Sequence, residues 1–308
     1  MRSSSFTDAC LPRKNLSGRL SSVEKWWLAR AIELRQNELT DDVSIVIPTH
    51  NSSGTLRACL ESVKNQNYPL LEVIVADNFS EDRTINIAKE FGTTIIERCG
   101  RSGHPGSARN VGILKASGRY VLLLDSDEIL AEDAVQSCVK LHERENVGMV
   151  KIPLLFVGTD FWGKCSAFWK NYHYLVNEQT IGSIPRFFTK EVILGAGLFN
   201  EDLVIGEDWE LYARLKRTGI KEAYCNSCML HLEPSSLREI MTKELRYSRF
   251  IPLYSRRLKE EHMPIYENSL LSLREALKGF RRSPLLVVGF LFLLFVKTCM
   301  WAIRFTFF

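Results

Sequence analysis

A short apolar run that ends in two closely spaced aspartates constrains the fold of this chain more than any other stretch. The run YVLLL occupies residues 120–124 and leads directly into Asp125, Ser126 and Asp127. An apolar run of this length is typical of a strand that is buried on both faces and surfaces at its carboxyl end. Two aspartates this close repel each other, so a cation beside an anionic ligand favours them.

Mg²⁺ or Mn²⁺ holding a diphosphate fits this pair of carboxylates. These ions prefer oxygen ligands and take only one or two protein carboxylates beside the phosphates of a substrate. For an isolated Asp-x-Asp the alternative is a solvated acidic turn, and the surrounding sequence has to decide between the two.

Strand-like and helix-like stretches alternate around this run. The sequence predicts strands near 43–47, 71–76 and 93–97, and helices near 53–63, 82–91 and 107–116. This alternation predicts an α/β fold with a parallel sheet and right-handed crossovers. The chain has 308 residues, of which 45% are hydrophobic and 25% are charged, so it is long enough to bury a sizeable core.

Polar side chains follow three of the predicted strands where each strand ends. Thr49 and Asn51 follow the first strand, Asp77 follows the second, and Asp125 and Asp127 follow the central one. Ligands of open α/β sheets bind at the carboxyl ends of the strands. The sequence therefore predicts that these residues converge on one crevice that holds a metal beside a nucleotide.

Ordered motifs between residues 43 and 233 resemble those of the family 2 glycosyltransferases, which have the GT-A fold. The motifs are SIVIPTHN (44–51), EVIVADN (72–78), GSARNVG (106–112), PRFF (185–188), GLFNE (197–201), GEDWEL (206–211) and HLEP (231–234). The resemblance implies an α/β fold with a mixed, mostly parallel sheet flanked by helices.

The same resemblance implies roles at the donor site. Asp77 would hydrogen-bond the imide of a uracil-like base, and Asp125 would face the ribose. Asp125 and Asp127 would hold Mg²⁺ or Mn²⁺, because the charge of a leaving nucleoside diphosphate must be neutralised in place. His231 would complete this metal site or contact a phosphate. The implied donor-binding residues are Pro48, Thr49, Asn51, Asp77, Arg109 and Asp125.

The resemblance also implies that Asp208 is the general base, with Glu207 as the less favoured candidate. A carboxylate beside the sugar would take the acceptor proton as its oxygen attacks opposite the diphosphate, which inverts the sugar in one displacement. An ordinary acidic pair at a helix start is the alternative for Glu207 and Asp208. For His231, the alternative is a plain residue at a strand end.

The chain departs from the family pattern at two kinds of position. Ala76 and Asn78 stand where many members have aspartate and glycine, which leaves base selectivity open. No Gln-x-x-Arg-Trp motif follows Asp208. Its absence argues against a processive polysaccharide synthase and for the transfer of a single sugar.

The carboxyl-terminal stretch is strongly apolar from residue 285 to residue 296, before Lys297. We expect a single membrane-spanning segment over 284–304, with an interfacial amphipathic helix or a buried core helix as alternatives. The basic residues ahead of it predict a catalytic domain that faces the cytoplasm. The eight cysteines are scattered and no amino-terminal apolar segment is present, which also predicts reduced thiols on the cytosolic side.

Four regions are thus predicted: a tail with an amphipathic helix (1–42), a GT-A domain (43–233), a basic helical connector (234–283) and a membrane segment (284–304). The predicted function is an inverting transfer of one sugar from a nucleoside diphosphate sugar to a membrane-associated acceptor, such as a polyprenyl phosphate or a lipid-linked glycan. A non-catalytic nucleotide-sugar-binding or scaffold protein on the same fold is the alternative. No nucleic-acid partner is expected.

Overall fold

The computed structural model describes residues 42–176, 184–250 and 283–307. The helix expected within residues 1–42 lies outside this part of the chain, as does most of the connector beyond residue 250. The strands are β1 (Val43–Thr49), β2 (Glu72–Asp77), β3 (Thr94–Ile96), β4 (Tyr120–Leu123), β5 (Glu128–Leu130), β6 (Met149–Lys151), β7 (Leu154–Val157), β8 (Phe187–Thr189), β9 (Glu222–Tyr224) and β10 (Met229–Leu232). The helices are α1 (Leu56–Lys64), α2 (Thr84–Glu90), α3 (Pro105–Lys115), α4 (Ala134–Glu145), α5 (Phe161–Val176), α6 (Lys190–Gly195), α7 (Glu207–Arg217), α8 (Leu237–Ser248) and α9 (Pro284–Phe307).

Seven of these strands form one sheet in the order β3-β2-β1-β4-β8-β6-β9. β1 pairs in parallel with β2 and with β4, whereas β8 runs antiparallel to both β4 and β6. The fold is therefore mixed α/β with a mostly parallel sheet flanked by helices, as the sequence predicts. A smaller sheet has the order β5-β10-β7. It pairs β5, which directly follows the Asp-x-Asp, with β10, which contains His231.

The core lies on both faces of the large sheet, which explains the unbroken apolar runs in the central strands. Every residue of β4 is buried, from Tyr120 to Leu123. α3 packs closely on β1, since a Cβ atom at Gly112 would stand 2.3 Å from Cγ1 of Val46. This close approach brings the start of α3, and with it Arg109, to the carboxyl edge of the sheet.

α9 occupies the segment for which a membrane span was expected, and one of its faces packs on the domain. Val287 and Phe290 are buried, and the ring of Phe290 stacks on that of Trp169 at 4.5 Å. The Nζ atom of Lys297 donates a hydrogen bond of 3.0 Å to Glu244 of α8. In the part of the chain that the structure describes, no helix is both long and apolar enough to cross a membrane. The expected transmembrane helix is therefore not supported.

Candidate active site

The carboxyl ends of β1, β2 and β4 lie side by side, as expected for parallel neighbours. Thr49 and Asp77 stand opposite each other in the register of β1 and β2, and Pro48 stands opposite Ala76. The loops after β1 and β4 are joined by a hydrogen bond of 2.8 Å between the hydroxyls of Ser52 and Ser126. The strand ends thus lie together at one edge of the sheet, and we call the site at this edge the crevice.

Asp77 is fully buried at one end of this crevice. Its carboxylate accepts hydrogen bonds from Oγ1 of Thr49 at 2.9 Å, from the backbone N–H of Ser80 at 2.9 Å and from the Ser80 hydroxyl at 2.5 Å. Asn51 has a left-handed backbone, with φ of 51°, and its side chain accepts from the backbone N–H of Glu81 at 2.8 Å. Asp77 and Thr49 therefore meet as predicted, while Asn51 braces the loop beside them.

Asn78, which stands where many members of the family have glycine, has a structural role. Its Nδ2 atom donates to the carbonyl oxygens of Cys99 and Arg101 at 2.8 and 2.9 Å, and its Oδ1 atom accepts from the backbone N–H of Gly103 at 2.7 Å. A glycine could make none of these bonds. Asn78 therefore fixes the loop that leads into α3.

Arg109 bridges two carboxylates beneath the centre of the crevice. Its Nη2 atom donates to Oδ1 of Asp125 at 2.6 Å, and its Nη1 atom donates to Oε1 of Glu207 at 2.7 Å. The side chain is only 6% exposed, and it lies over the ring of Phe199. Two of the predicted site residues, Asp125 and Glu207, are thus held together by a third.

Arg186 holds Asp125 from the other side. Its Nη2 atom lies 3.0 Å from Oδ2 of Asp125 and 2.8 Å from Oε1 of Glu128. This arginine directly precedes β8, whose antiparallel pairing with β4 brings it beside the Asp-x-Asp. The carboxylate of Asp125 therefore has a guanidinium on each oxygen.

The burial of these groups shifts their proton affinities. Burial alone would raise the pKa of Asp125, but the charges of Arg109 and Arg186 outweigh it and hold that pKa well below its usual range. Burial raises the pKa of Glu128 to about 8 although Arg186 acts in the opposite direction. Burial, together with the charge of Asp208, raises the pKa of Glu207 to about 7 against the opposing effect of Arg109.

Asp127 lies beside His231 at the small sheet, because Asp127 directly precedes β5 and β5 pairs with β10. Nε2 of His231 lies 3.6 Å from Oδ2 of Asp127, and Nδ1 lies 3.6 Å from Oε1 of Glu233. Nδ1 is buried without a hydrogen-bond partner. Burial lowers the pKa of His231, which favours the neutral imidazole, the form that binds metals.

These side chains fit a divalent cation as a two-residue site. A metal-bound histidine usually turns its other ring nitrogen towards a carboxylate, and Glu233 stands in that position, fixed by Lys170 at 2.6 Å and Ser166 at 2.5 Å. Asp125 does not join them, because both of its oxygens are engaged by arginines. Within residues 42–176, 184–250 and 283–300, no group of three or more His, Cys, Asp or Glu side chains is arranged to hold a metal.

Glu207 and Asp208 begin α7 after Gly206, whose φ of 73° favours glycine. The two carboxylates differ in their surroundings. Glu207 is buried in its bond to Arg109, whereas Asp208 is partly exposed and its Oδ1 atom accepts from the backbone N–H of Trp209 at 2.8 Å. A carboxylate at a helix start is stabilised by the helix dipole, and of these two only Asp208 is partly exposed.

Several residues that shape this site had no role assigned from the sequence. Arg186 lies within a motif quoted above, but its partners depend on the β4–β8 register. Glu128 and Glu233 flank predicted metal ligands, so their position in the sequence was a usable signal. Lys243 of α8, whose Nζ atom lies 4.0 Å from Oδ2 of Asp127, lies in no motif.

Comparisons with known proteins agree with the fold described above. Residues 44–194 match the family model described as Glycosyl transferase family 2. A poly(ribitol-phosphate) beta-glucosyltransferase from Bacillus spizizenii is 37% identical over 100 residues, which are 30% of this chain and 16% of that protein. A chondroitin synthase from Escherichia coli is 26% identical over 262 residues, which are 79% of this chain and 34% of that protein. The chain thus spans about a third or less of the length of these two relatives.

A solved structure shows the same fold. The mannosyltransferase of Pyrobaculum calidifontis, in complex with GDP-Man and Mn²⁺, superposes with a TM-score of 0.53 at 17% identity, covering 92% of this chain and 84% of that one. At this level of identity the likeness concerns the architecture, which includes the sheet edge where the crevice lies.

Proposed function

We propose that this chain, which carries a family 2 glycosyltransferase domain, transfers a single sugar from a nucleoside diphosphate sugar to an acceptor with inversion. The observation that carries the proposal is that a candidate general base and a candidate metal site lie along one crevice. A partly exposed carboxylate, Asp208, follows the buried Arg109–Glu207 ion pair, while Asp127 and His231 face each other nearby.

Asp208 acts as the general base in this proposal. The acceptor oxygen attacks the anomeric carbon as its proton passes to the Asp208 carboxylate, and the bond from that carbon to the diphosphate oxygen breaks. Attack from the face opposite the leaving group inverts the sugar. Glu207 is the weaker candidate, because its carboxylate is buried in a 2.7 Å bond to Arg109.

Asp127 and His231 would hold Mg²⁺ or Mn²⁺, and such an ion supplies neutralising charge for the departing diphosphate. Support comes from the donor set, one carboxylate and one neutral imidazole, since these ions complete their coordination with phosphate oxygens and water. At the other end of the crevice, Pro48, Thr49 and Asp77 would receive the nucleobase.

The acceptor is proposed to lie at a membrane surface that α9 contacts, with the domain on the cytoplasmic side. The face of α9 that is turned away from the domain carries large exposed apolar side chains, and the sequence before the helix has an excess of Lys and Arg. Such a combination suits an anionic membrane surface. The exposed side chains are Leu285, Val288, Leu291, Phe292 and Phe295.

The test separates an enzyme from a binding protein on the same fold. The full chain is titrated with UDP and with GDP in the presence of Mn²⁺, and is then incubated with a panel of UDP- and GDP-sugars while released nucleotide is measured. Asp208→Asn is the matched variant. We expect it to keep nucleotide affinity within about threefold and to lose a factor of about 10² to 10⁴ in turnover.

Equal turnover in the parent and in Asp208→Asn would reject Asp208 as the base. Nucleotide binding without turnover of any sugar in the presence of lipid acceptors would favour the scaffold alternative. Failure of the parent chain to bind either nucleotide would reject the proposed function itself.

A further inference from the structure

Lys243 stands over the carboxylate that is proposed to hold the metal. Its Nζ atom is 4.0 Å from Oδ2 of Asp127, the same oxygen that His231 approaches at 3.6 Å. The side chain is 31% exposed, so it is partly sheltered and still accessible to a ligand. This position is at the end of the crevice away from Asp77.

The other cations at this crevice are committed to carboxylates at short range. Arg109 pairs at 2.6 and 2.7 Å, Arg186 at 2.8 and 3.0 Å, and Lys170 with Glu233 at 2.6 Å. These distances are those of charge-assisted hydrogen bonds. The distance of 4.0 Å between Nζ of Lys243 and Oδ2 of Asp127 exceeds hydrogen-bonding range. Among the described cations of this crevice, Lys243 therefore has the longest ion pair and the most capacity for a further anion.

A cation at this position would stabilise the negative charge that develops when the donor loses its sugar. A nucleoside diphosphate gains negative charge as the bond to the sugar breaks, and fixed positive groups at that point lower the barrier. In the proposed function the nucleobase lies at Asp77, which ends β2. The edge of the sheet passes from there across β1 to β4, which is followed by Asp125 and Asp127. The phosphate farther from the nucleoside is thus expected beside Asp127.

α8 is held so that Lys243 is placed before any ligand arrives. The Ser236 hydroxyl caps the helix by accepting from the backbone N–H of Glu239 at 3.2 Å. Near the middle of the helix, Lys297 of α9 bonds to Glu244, the neighbour of Lys243. Beyond its end, the ring of Phe250 meets that of His104 edge-on at 6.3 Å. Fixing a charged group in advance reduces the entropy lost on binding.

We infer that Lys243 binds the distal phosphate of the nucleoside diphosphate donor and that α9, through Lys297 and Glu244, holds it in place. This inference rests on the proposed function and adds a donor-binding residue to it. A purely structural role, in which Lys243 only stabilises Asp127, would make no distinction between nucleoside diphosphates and monophosphates.

The experiment uses that distinction. Calorimetry of the full chain measures the affinities of UDP, UMP, GDP and GMP, with Mn²⁺ and with EDTA, for the parent and for Lys243→Met. The matched control is Arg238→Met, which removes an exposed positive charge from the same helix. Lys243→Arg tests rescue by charge, and thermal melting of each variant reports whether it folds.

We expect Lys243→Met to weaken the diphosphate preferred by the parent by about 10- to 100-fold, the effect of losing one charged hydrogen bond. The corresponding monophosphate should change by less than about threefold. Lys243→Arg should recover most of the affinity, and Arg238→Met should resemble the parent.

Equal losses for diphosphate and monophosphate, or no loss for either, would overturn the inference. If Lys243→Met does not fold, a folded Lys243→Arg that has lost the diphosphate preference would overturn it, and one that keeps the preference would support it. A parent chain that binds neither UDP nor GDP would remove the proposed function and the inference together, so the two failures are distinguishable.

Discussion

Replacing Arg109 with methionine removes the positive charge that joins the buried carboxylate of Glu207 to the partly buried one of Asp125. Asp125 keeps Arg186 as a partner, but Glu207 loses the guanidinium at 2.7 Å. Breaking a buried ion pair by deleting one member costs about 3 to 5 kcal/mol, since it leaves a charge without compensation. A domain of this size loses about 2 to 4 °C of melting temperature for each kcal/mol. We therefore expect Arg109→Met to melt about 6 to 20 °C below the parent.

The loss should grow with pH, because Glu207 can relieve it by taking up a proton. The pKa of Glu207 is already raised, from an ordinary 4.5 to about 7, by burial and by Asp208, with Arg109 acting against them. A carboxyl with a raised folded-state pKa contributes stability below its unfolded pKa and loses it as the pH rises through the folded one. Without Arg109 that pKa rises further, so the variant goes on losing stability above pH 7, by about 1 kcal/mol per pH unit.

Urea unfolding followed by circular dichroism at pH 6 and pH 8 measures both effects. Arg101→Met is the control, because its ion pair with Asp202 is 3.3 Å long and both side chains are more than half exposed. Such a pair contributes about 0 to 1 kcal/mol. A loss for Arg109→Met no greater than that of the control, or a loss equal at both pH values, would refute the assignment of a buried, charge-compensated bridge.

Two further predictions concern ligands. Asp127→Asn should abolish the part of UDP or GDP affinity that depends on Mn²⁺, because the amide keeps the shape and removes the charge; calorimetry that finds equal affinity in Mn²⁺ and EDTA for the parent would reject the metal site. Val288→Asp with Phe295→Asp should reduce flotation with anionic vesicles at least tenfold, as two charges disrupt the apolar face of α9. Leu114→Asp, an exposed apolar position on α3, should leave flotation unchanged, and an equal effect there would reject α9 as the contact.

The strands and the polar residues at their ends were predictable because both follow from local pattern. An unbroken apolar run predicts a doubly buried strand, and parallel strands must end at one edge. Thr49 and Asp77 meet for that reason. The membrane span expected at 284–304 is not supported by the structure. The apolar content of a helix does not indicate whether the helix packs on lipid or on protein. α9 packs on α5, with the ring of Phe290 stacked on that of Trp169, which only the tertiary structure reveals.

The ion-pair partners of Asp125 could not be predicted from the local sequence pattern. Arg186 reaches it through an antiparallel pairing of β4 and β8, strands separated by more than sixty residues along the chain. A motif gives the order of residues along the chain, whereas ion pairs depend on which side chains fold onto one another. The metal set implied by the resemblance includes both aspartates of the Asp-x-Asp, whereas in the structure Asp125 is engaged by two arginines and Asp127 lies near His231.

Some charged groups of the crevice are satisfied within the protein, and others remain open to a ligand. The matched residues 44–194 contain Asp77, Arg109 and Asp125, whose charges are largely satisfied within the protein. Buried and satisfied groups give a rigid frame, and they have little capacity left for a new anion. The groups that remain open are Asp127, which lies inside that range and is 30% exposed, and Asp208 and Lys243, which come from helices after it. The part of the chain with the stronger family signal therefore builds the frame and supplies Asp127, while the rest of the proposed chemistry depends on α7, β10 and α8, with α9 bracing α8.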